Sequence, residues 1–420
     1  MRFRMTIILA LCAAPPISAA DWPQFRGPGG LGVAADKSLP ATWSDNANIA
    51  WKTDLPGSGS SSPIVVGDKI FVTCYSGYGL DQDDPGDPKN LKRHLICLGK
   101  QGKILWTRDI VTAAKDAAYT GSYITQHGYA SSTPVSDGKT IYCFFGVAGV
   151  VAFDLGGKQL WQSSVGTGTN SWGTGTSPIL SGDLVIVNAS AESSSLVALN
   201  KKDGSVAWKQ PGKEWWSWTT PLLTDANGRQ EVVISIYVRL RGHDSKTGKE
   251  LWNCAGLDDY VCPSPVAHDG VVFVIGARDN TAMAIKAGGS GDVSKTHVLW
   301  TVGRGSNVSS PLYHDGHLYW ASEKRGVVYC VDVKSGKMKH EQRLDPNPDL
   351  VYASAFLAGG KIYYVSRNHG TYVIDAKPQF KQLAHNVIAS DTSVFNGSPA
   401  AMDGKLLLRS DRRLYCIGKP

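Results

Sequence analysis

Residues 310–337 read SPLYHDGHLYWASEKRGVVYCVDVKSGK, and this stretch decides the fold. Runs of β-branched and aromatic residues, at 317–321 and 327–332, are separated by Asp-Gly, Arg-Gly and Gly-Lys turns. Short runs of this kind between turn residues are typical of β-strands. The stretch therefore predicts a small antiparallel sheet that begins after a Ser-Pro step.

The Ser/Thr-Pro step recurs along the chain and divides it into eight units. Its copies begin at Ser62, Thr133, Ser177, Thr220, Ser264, Ser310, Ser354 (where alanine replaces the proline) and Ser398. From the second copy onward the spacing is 43–46 residues, and only the first spacing, of 71 residues, is lengthened by insertions. Four strands of about five residues and their turns fill about 44 residues, which is one blade of a β-propeller. We predict an all-β fold, an eight-bladed β-propeller of four-stranded antiparallel blades.

Tryptophan marks the fourth strand of most units. The indoles follow a glycine-containing turn at Trp106, Trp161, Trp208, Trp252 and Trp300. We interpret them as packing between blades, because a buried indole is worth roughly 4–6 kcal/mol at about 25 cal/mol/Å². His340 and Ala384 stand where two late units would carry tryptophan, so we expect weaker docking there.

The ends of the repeat region predict how the ring closes. The last unit, 398–418, has three strands, whereas 49–53 is a fourth strand that stands before the first unit. Pairing the two removes exposed sheet edges. We therefore divide the chain into a leader at 1–20, an N-terminal extension at 21–48 and the propeller at 49–418.

Three segments resemble a known class of proteins. Residues 203–208, DGSVAW, and 247–252, TGKELW, resemble the tryptophan-docking repeat of pyrroloquinoline-quinone (PQQ)-like propellers. Residues 21–28, DWPQFRGP, resemble the start of a secreted bacterial class of these proteins. The resemblance implies the propeller fold, but it spans quinoprotein dehydrogenases as well as non-catalytic relatives such as BamB.

The N-terminus predicts export. Arg2 and Arg4 precede an apolar stretch at 5–14, and Ser-Ala-Ala at 18–20 suits cleavage after Ala20, which predicts a periplasmic or secreted protein. The apolar stretch is too short for a transmembrane helix. Without the two arginines the formal charge falls by two, from +7 to +5. No dense Lys/Arg run indicates a nucleic-acid partner.

Cysteines and motifs give little further direction. Seven cysteines would remain after cleavage, and only Cys254 and Cys262, which bracket one interblade loop, suit a disulfide. Sequence alone leaves that pairing open. We expect no metal site and no nucleotide chemistry, because neither His-Glu-x-x-His nor a phosphate loop occurs.

The loops that enter the innermost strands should gather around the central channel on one face of the ring. Loops of this kind commonly carry function. They present side chains outside the docking register: His127, Trp172, Trp216, Trp218, Tyr260, Asn307, Tyr352 and Asn396. We predict a ligand site there, with simple packing of the channel mouth as the alternative.

Turns between second and third strands emerge on the same face. In units four to eight each turn carries cations, at Arg239 and Arg241, Arg278, Lys324 and Arg325, Arg367 with His369, and Arg412 and Arg413. We expect these side chains to form an arc that draws an acidic small molecule, glycan or protein segment, with Arg278, Arg325, Arg367 and Arg412 as its ligand-binding residues. Solvated polar turns are the alternative. Two insertions, 78–94 and 111–128, should lean over the mouth as a partial lid.

Enzyme activity depends on the resemblance. It implies a funnel carboxylate as base, for which Glu192 is the first candidate and Asp279 and Asp411 follow, together with PQQ and calcium. However, no two cysteines are adjacent, as they are in the methanol and ethanol dehydrogenase branch. We therefore expect a non-catalytic propeller without a cofactor. The alternatives are a PQQ- and calcium-dependent dehydrogenase of sugars or alcohols, and a BamB-like scaffold with an envelope protein partner.

Overall fold

The structure, a computed structural model, describes residues 21–212, 217–276 and 281–419. These residues form eight antiparallel sheets arranged as blades, each numbered from its innermost strand. Blade eight also takes β1 (Ile49–Asp54) as its outermost strand.

The strands of blades one to four are β2 (Ile64–Val66), β3 (Lys69–Ser76), β4 (Lys92–Gly99) and β5 (Ile104–Ile110); β6 (Val135–Ser136), β7 (Thr140–Phe144), β8 (Val150–Asp154) and β9 (Gln159–Ser163); β10 (Ile179–Ser181), β11 (Leu184–Ala189), β12 (Ser195–Asn200) and β13 (Val206–Pro211); and β14 (Leu222–Ala226), β15 (Arg229–Ile236), β16 (Arg239–Asp244) and β17 (Glu250–Ala255).

Those of blades five to eight are β18 (Val266–His268), β19 (Val271–Gly276), β20 (Thr281–Lys286), β21 (Gly291–Asp292) and β22 (Val298–Val302); β23 (Leu312–His314), β24 (His317–Ala321), β25 (Val327–Asp332) and β26 (Met338–Arg343); β27 (Phe356–Ala358), β28 (Lys361–Val365), β29 (Thr371–Asp375) and β30 (Gln382–Asn386); and β31 (Ala400–Met402), β32 (Lys405–Arg409) and β33 (Arg413–Ile417).

Helical structure in these ranges is limited to single turns. One α-helical turn, α1, spans Ser190–Ser193, and 3₁₀ turns span Pro28–Gly30, Pro88–Asn90, Ile124–Gln126 and Gly146–Ala148. No helix in the described ranges has the length and apolar character needed to cross a membrane.

The ring closes through the first and last strands. β1 pairs antiparallel with β33, with Trp51 opposite Cys416 and Asp54 opposite Arg413. The predicted eight-bladed propeller of four-stranded blades is confirmed, because the eight sheets include one built from both ends of the repeat region.

Indoles join neighbouring blades by a shared contact. Trp161 of blade two donates its Nε1–H to Lys201 O in blade three at 2.8 Å. Its ring lies against Gly204, where a Cβ would sit 2.5 Å from the indole and where φ is +73°. Glycine is required there by both the close approach and the positive φ. The same arrangement joins Trp51 to Gly102 and Trp300 to Gly336.

Blade four departs from this pattern. The Nε1–H of Trp252 donates to Glu231 Oε2 of its own blade at 2.7 Å, and the ring covers Gly242. β21, which belongs to the chain of blade five, pairs in parallel with β17 and gives blade four a fifth strand. This strap covers an edge that would otherwise be open.

The two positions that lack tryptophan have substitutes. His340 is buried and its Nδ1 lies 3.0 Å from Pro378 O of blade seven, so imidazole takes the place of indole. Beside Ala384, Trp43 of the N-terminal extension enters the core and stacks on Tyr363, with ring centroids 6.3 Å apart. The expectation of weaker docking therefore left out the contact of His340 with the next blade and the indole that the extension supplies.

The extension also crosses the ring. Trp22 pairs with Val65 of blade one, and Val33 pairs with Leu357 of blade seven. Phe25, between them, reaches the central channel. The extension thus acts as a plug beneath the innermost strands, and the channel opens on the opposite face.

Candidate ligand channel

A cavity of about 230 Å³ follows the central channel. Side chains from every blade line it, together with Phe25 of the plug. Its walls consist of a ring of hydroxyl side chains next to the plug and a wider set of loop residues at the mouth. This is a blind cavity that a ligand can enter from one face.

The hydroxyl ring is built by the repeat signature itself. In seven links, a backbone N–H of one blade donates to the signature hydroxyl of the next blade at 2.9–3.2 Å. The links run in order through Ser62, Thr133, Ser177, Thr220, Ser264, Ser310, Ser354 and Ser398. All eight side chains line the cavity.

Aromatic rings form one side of the mouth. Trp218 donates its Nε1–H to Gly173 O at 2.9 Å and meets Tyr260 edge to face at 5.9 Å. Trp172 meets Tyr123 in the same way at 5.1 Å. These contacts hold the rings in place, so the wall presents fixed apolar faces to the cavity.

Two amides of the wall keep a polar atom without a partner among the described residues. Asn396 donates from Nδ2 to Gln126 O at 2.9 Å, and its buried Oδ1 is unpaired. The donation to a carbonyl identifies Nδ2 as the donor and Oδ1 as the unpaired acceptor. Asn307 donates from Nδ2 to Tyr260 Oη at 2.8 Å, and its Oδ1 is also buried and unpaired.

Of the two insertions expected to form a partial lid, 111–128 reaches the cavity, through Gln126 and His127. The segment 111–128 meets blade three where Ile124 N donates to Ser171 O at 3.1 Å. It meets blade seven where Arg367 Nη1 donates to Gln126 Oε1 at 2.8 Å. A satellite core containing Tyr78 and Tyr119 ties it to the other insertion. The lid therefore spans part of the mouth between distant blades.

The neutral imidazole of His127 holds the lid in place through two hydrogen bonds. Its Nε2 lies 2.6 Å from Trp172 O, and its Nδ1 lies 2.5 Å from Ser131 Oγ. Burial lowers the pKa of His127 to about 4, so the ring is neutral near pH 7. Nε2 must then carry the proton that is donated to the carbonyl, and Nδ1 accepts from Ser131.

The structure brings most of the predicted loop residues into one cavity. The seven that line it are His127, Trp172, Trp218, Tyr260, Asn307, Tyr352 and Asn396. Trp216 and Arg278 lie outside the described residues. The sequence interpretation named Lys324 among the turn cations but not among the ligand residues, and it missed Glu323 and Cys262 as lining residues; it treated the signature hydroxyls only as repeat markers.

The described cations do not form the continuous arc that the repeat register predicts. Arg367 is buried, with its guanidinium 4.4 Å above the Tyr352 ring. Arg325 and Arg412 are exposed on the rim and do not line the cavity.

In blade four the corresponding cations turn away from the channel. Arg241 pairs with Glu250 on the outermost strand at 3.2 Å. Arg239 pairs with Asp292 of the strap at 3.6 Å. Among the described cations, Lys324 and Arg367 therefore come closest to the predicted role, which is to attract an acidic ligand to the channel mouth.

Glu192 lies in a separate small cavity between the lid and blade three. That cavity also contains Arg93 and Asp116, which form an ion pair. Thr174 donates to Glu192 Oε1, whereas the buried Oε2 has no partner among the described residues. Burial raises the pKa of Glu192 to about 7.

The described donor set does not fit a calcium-bound quinone in the channel. Glu192 does not line the channel, and the channel carboxylate, Glu323, already accepts from Asn307 N at 2.9 Å. No cluster of three or more His, Cys, Asp or Glu side chains that could hold a metal ion occurs within the described ranges. Calcium takes six to eight oxygen ligands, usually with several carboxylates, and Glu323 is the one described carboxylate that lines the channel. Cys254 and Cys262 are both free thiols.

The fold and the tryptophan-docking repeat define a PQQ-like propeller. A family profile described as "Outer membrane protein assembly factor BamB" matches residues 92–342 and 226–419, and the chain belongs to this family.

Individual relatives are more distant. Polyvinylalcohol dehydrogenase of a Pseudomonas species is 23% identical over 392 residues, covering 80% of this chain and 53% of the relative, so the chain spans about half of that protein. BamB from Moraxella catarrhalis has a TM-score of 0.59 at 13% identity, covering 88% of this chain and 99% of that one. Quinohemoprotein alcohol dehydrogenase from Comamonas testosteroni has a TM-score of 0.61 at 10% identity, covering 96% and 81%. At such identities the solved structures indicate a shared fold.

Proposed function

We propose that this chain is an exported, non-catalytic propeller that holds an oxygen-rich ligand, such as a glycan or another polyol, in its central channel. The observation that supports this most is the unpaired, buried Oδ1 of Asn396 in the channel wall. A buried acceptor without a partner costs free energy, roughly 1–3 kcal/mol, which a ligand donor recovers.

The rest of the wall suits the same ligand class. Hydroxyl groups both donate and accept hydrogen bonds, so a polyol can donate to Asn396 and Asn307 and accept from the hydroxyl ring. Trp218 and Tyr260 supply apolar faces beside these polar groups. A few fixed polar groups among aromatic faces are typical of sites for small organic ligands.

Binding of an oligosaccharide panel tests this proposal. The parent protein should bind at least one neutral or acidic member at micromolar to millimolar concentration. Asn396→Leu and Trp218→Ala should each weaken that binding by at least about tenfold, since 1.4 kcal/mol corresponds to a factor of ten. Asn46→Leu, an exposed asparagine in the extension, is the matched control and should bind as the parent does. Failure of the parent to bind any member would overturn the proposal.

A second candidate function is a PQQ-dependent dehydrogenase, because dehydrogenases are among the relatives. Glu192 has a pKa of about 7, which suits a general base near neutral pH, but it lies outside the channel, so a quinone in the channel would need another base. Titration with PQQ and calcium, followed by absorption spectra and dye-coupled oxidation of alcohols and sugars, tests this candidate. Micromolar binding of PQQ would replace the non-catalytic proposal.

Family membership also suggests protein partners. A scaffold role in envelope assembly would use a protein segment as the ligand of the loop face, with the leader at 1–20 directing export. Crosslinking of the exported protein in envelope extracts would then trap a partner, and Trp218→Ala would have little effect on that trapping if the partner binds elsewhere on the ring.

A further inference from the structure

The hydroxyl ring presents O–H donors that are not bound by acceptors among the described residues. Each signature hydroxyl that accepts a backbone N–H still has its own hydrogen to donate. None of the eight donates to a group within the described part of the chain. The eight residues are between 1% and 7% exposed and all line the cavity, so their remaining O–H groups are available to whatever occupies it. The narrow part of the channel is therefore a circle of converging O–H donors.

A buried cation lies next to this circle. The guanidinium of Arg26 donates to Pro311 O, and Pro311 follows Ser310 of the ring. A Cβ at Gly32 would lie 2.8 Å from Ala355 O and 3.1 Å from Arg26 Nη2, so these two groups are close together, and Ala355 follows Ser354 of the ring. Phe25, the preceding residue, lines the cavity, whereas Arg26 itself does not. Arg26 therefore lies behind the cavity wall, near blades six and seven.

The charge of Arg26 is not neutralised by a described carboxylate. It forms no ion pair in the described ranges, and its buried Nε and Nη1 have no hydrogen-bond partner there. Burial lowers the pKa of Arg26 to about 9, which still leaves it protonated at pH 7. An isolated buried cation creates a positive potential that favours an anion nearby.

We propose that the hydroxyl ring forms an oxyanion subsite at the closed end of the channel, with the positive charge of Arg26 behind it. It would hold a carboxylate, sulfate or phosphate group of the ligand, while the mouth holds the remainder. The inference rests on the proposed function and adds that the ligand carries an anionic group that enters first.

The polarity of the channel agrees with this orientation. The ring offers donors, and the only described carboxylate that lines the cavity, Glu323, lies in the turn after β24 on the mouth side. That carboxylate accepts hydrogen bonds from Asn307 N and Ser306 Oγ. Lys324 beside it adds a cation at the entrance. Donor groups and the charge of Arg26 thus favour an anion at the closed end, whereas Glu323 and Lys324 give the mouth charges of both signs.

The test compares glucuronate with glucose, together with inorganic sulfate and phosphate as free oxyanions, by calorimetry at constant ionic strength. The parent should prefer glucuronate to glucose by at least about tenfold. Arg26→Met and Thr220→Val should reduce that preference to about twofold or less. Thr220→Ser, which keeps the hydroxyl, should retain it.

The outcomes separate this inference from the proposed function. If glucose binds and Asn396→Leu abolishes that binding, but glucuronate is not preferred, only the oxyanion subsite is wrong. If the preference persists in both Arg26→Met and Thr220→Val, the subsite is also wrong. If Arg26→Met does not fold, Thr220→Val with Thr220→Ser decides the question, because valine matches threonine in shape. Should neither sugar nor any member of the oligosaccharide panel bind, both proposals fail.

Discussion

Replacing Trp161 with alanine tests the account of how the blades are joined. The side chain is 9% exposed, so about nine-tenths of roughly 250 Å² is buried, and at about 25 cal/mol/Å² this corresponds to an upper limit of about 6 kcal/mol. Partial collapse of the site brings the expected loss in the free energy of unfolding to about 3–5 kcal/mol. Trp161→Phe keeps most of the apolar contact but loses the hydrogen bond to Lys201 O, so it should cost about 1–2 kcal/mol.

Gly204→Ala tests the same contact from the neighbouring blade. The new methyl group would lie 2.5 Å from the indole at a φ of +73°, so we expect a loss of about 1–3 kcal/mol. In the double variant the methyl group occupies the space left by the indole, so the loss should be smaller than the sum of the two.

Urea unfolding followed by far-UV circular dichroism measures all three variants without relying on tryptophan fluorescence. Trp172→Ala, which removes a partly exposed indole from the channel mouth, is the matched control and should cost no more than about 1.5 kcal/mol. A loss below 1 kcal/mol in Trp161→Ala, or strict additivity in the double variant, would refute the docking account.

Three further predictions concern charge, thiols and the extension. In the folded protein Glu192 has a pKa of about 7, above its usual 4.5, so the free energy of unfolding of the parent should fall as pH rises between these values. The fall amounts to about 3 kcal/mol by pH 8, and Glu192→Gln should remove it. Urea unfolding of both proteins at pH 4.5 and 8 measures this; the same difference in free energy between the two proteins at both pH values would contradict the prediction. Denatured protein that begins at residue 21 should titrate seven thiols with Ellman's reagent, whereas five would indicate a bridge between Cys254 and Cys262. Trp43→Ala should cost about 3–5 kcal/mol in urea unfolding because this indole fills the gap at Ala384, and a negligible effect would show that the extension does not support the ring.

The fold could be predicted from the sequence because each blade repeats the same turns at nearly the same spacing. The orphan strand at 49–53 also indicated ring closure, since every other unit has four strands. The replacement of a missing docking residue by Trp43 could not be predicted in this way. That residue lies outside the repeat, and a long-range contact leaves no periodic signal.

The repeat also made part of the candidate site predictable. Equivalent loops lie at equivalent radii, so residues such as Trp218 and Asn396 meet at the mouth. Side-chain direction is not set by repeat register, and Arg241 extends along its sheet to pair with Glu250. The hydroxyl of Thr220 was visible as part of the signature, but its role in the channel depends on the angle at which the strands enter.

The position of a bound ligand tests the central claim most directly. The measurement is a crystal structure of the protein grown with the strongest binder from the oligosaccharide panel. We predict density in the central channel, with a ligand donor within about 3.2 Å of Asn396 Oδ1 and an apolar face against Trp218. Density at a blade edge or on the outer rim, with only ordered water in the channel, would contradict the account.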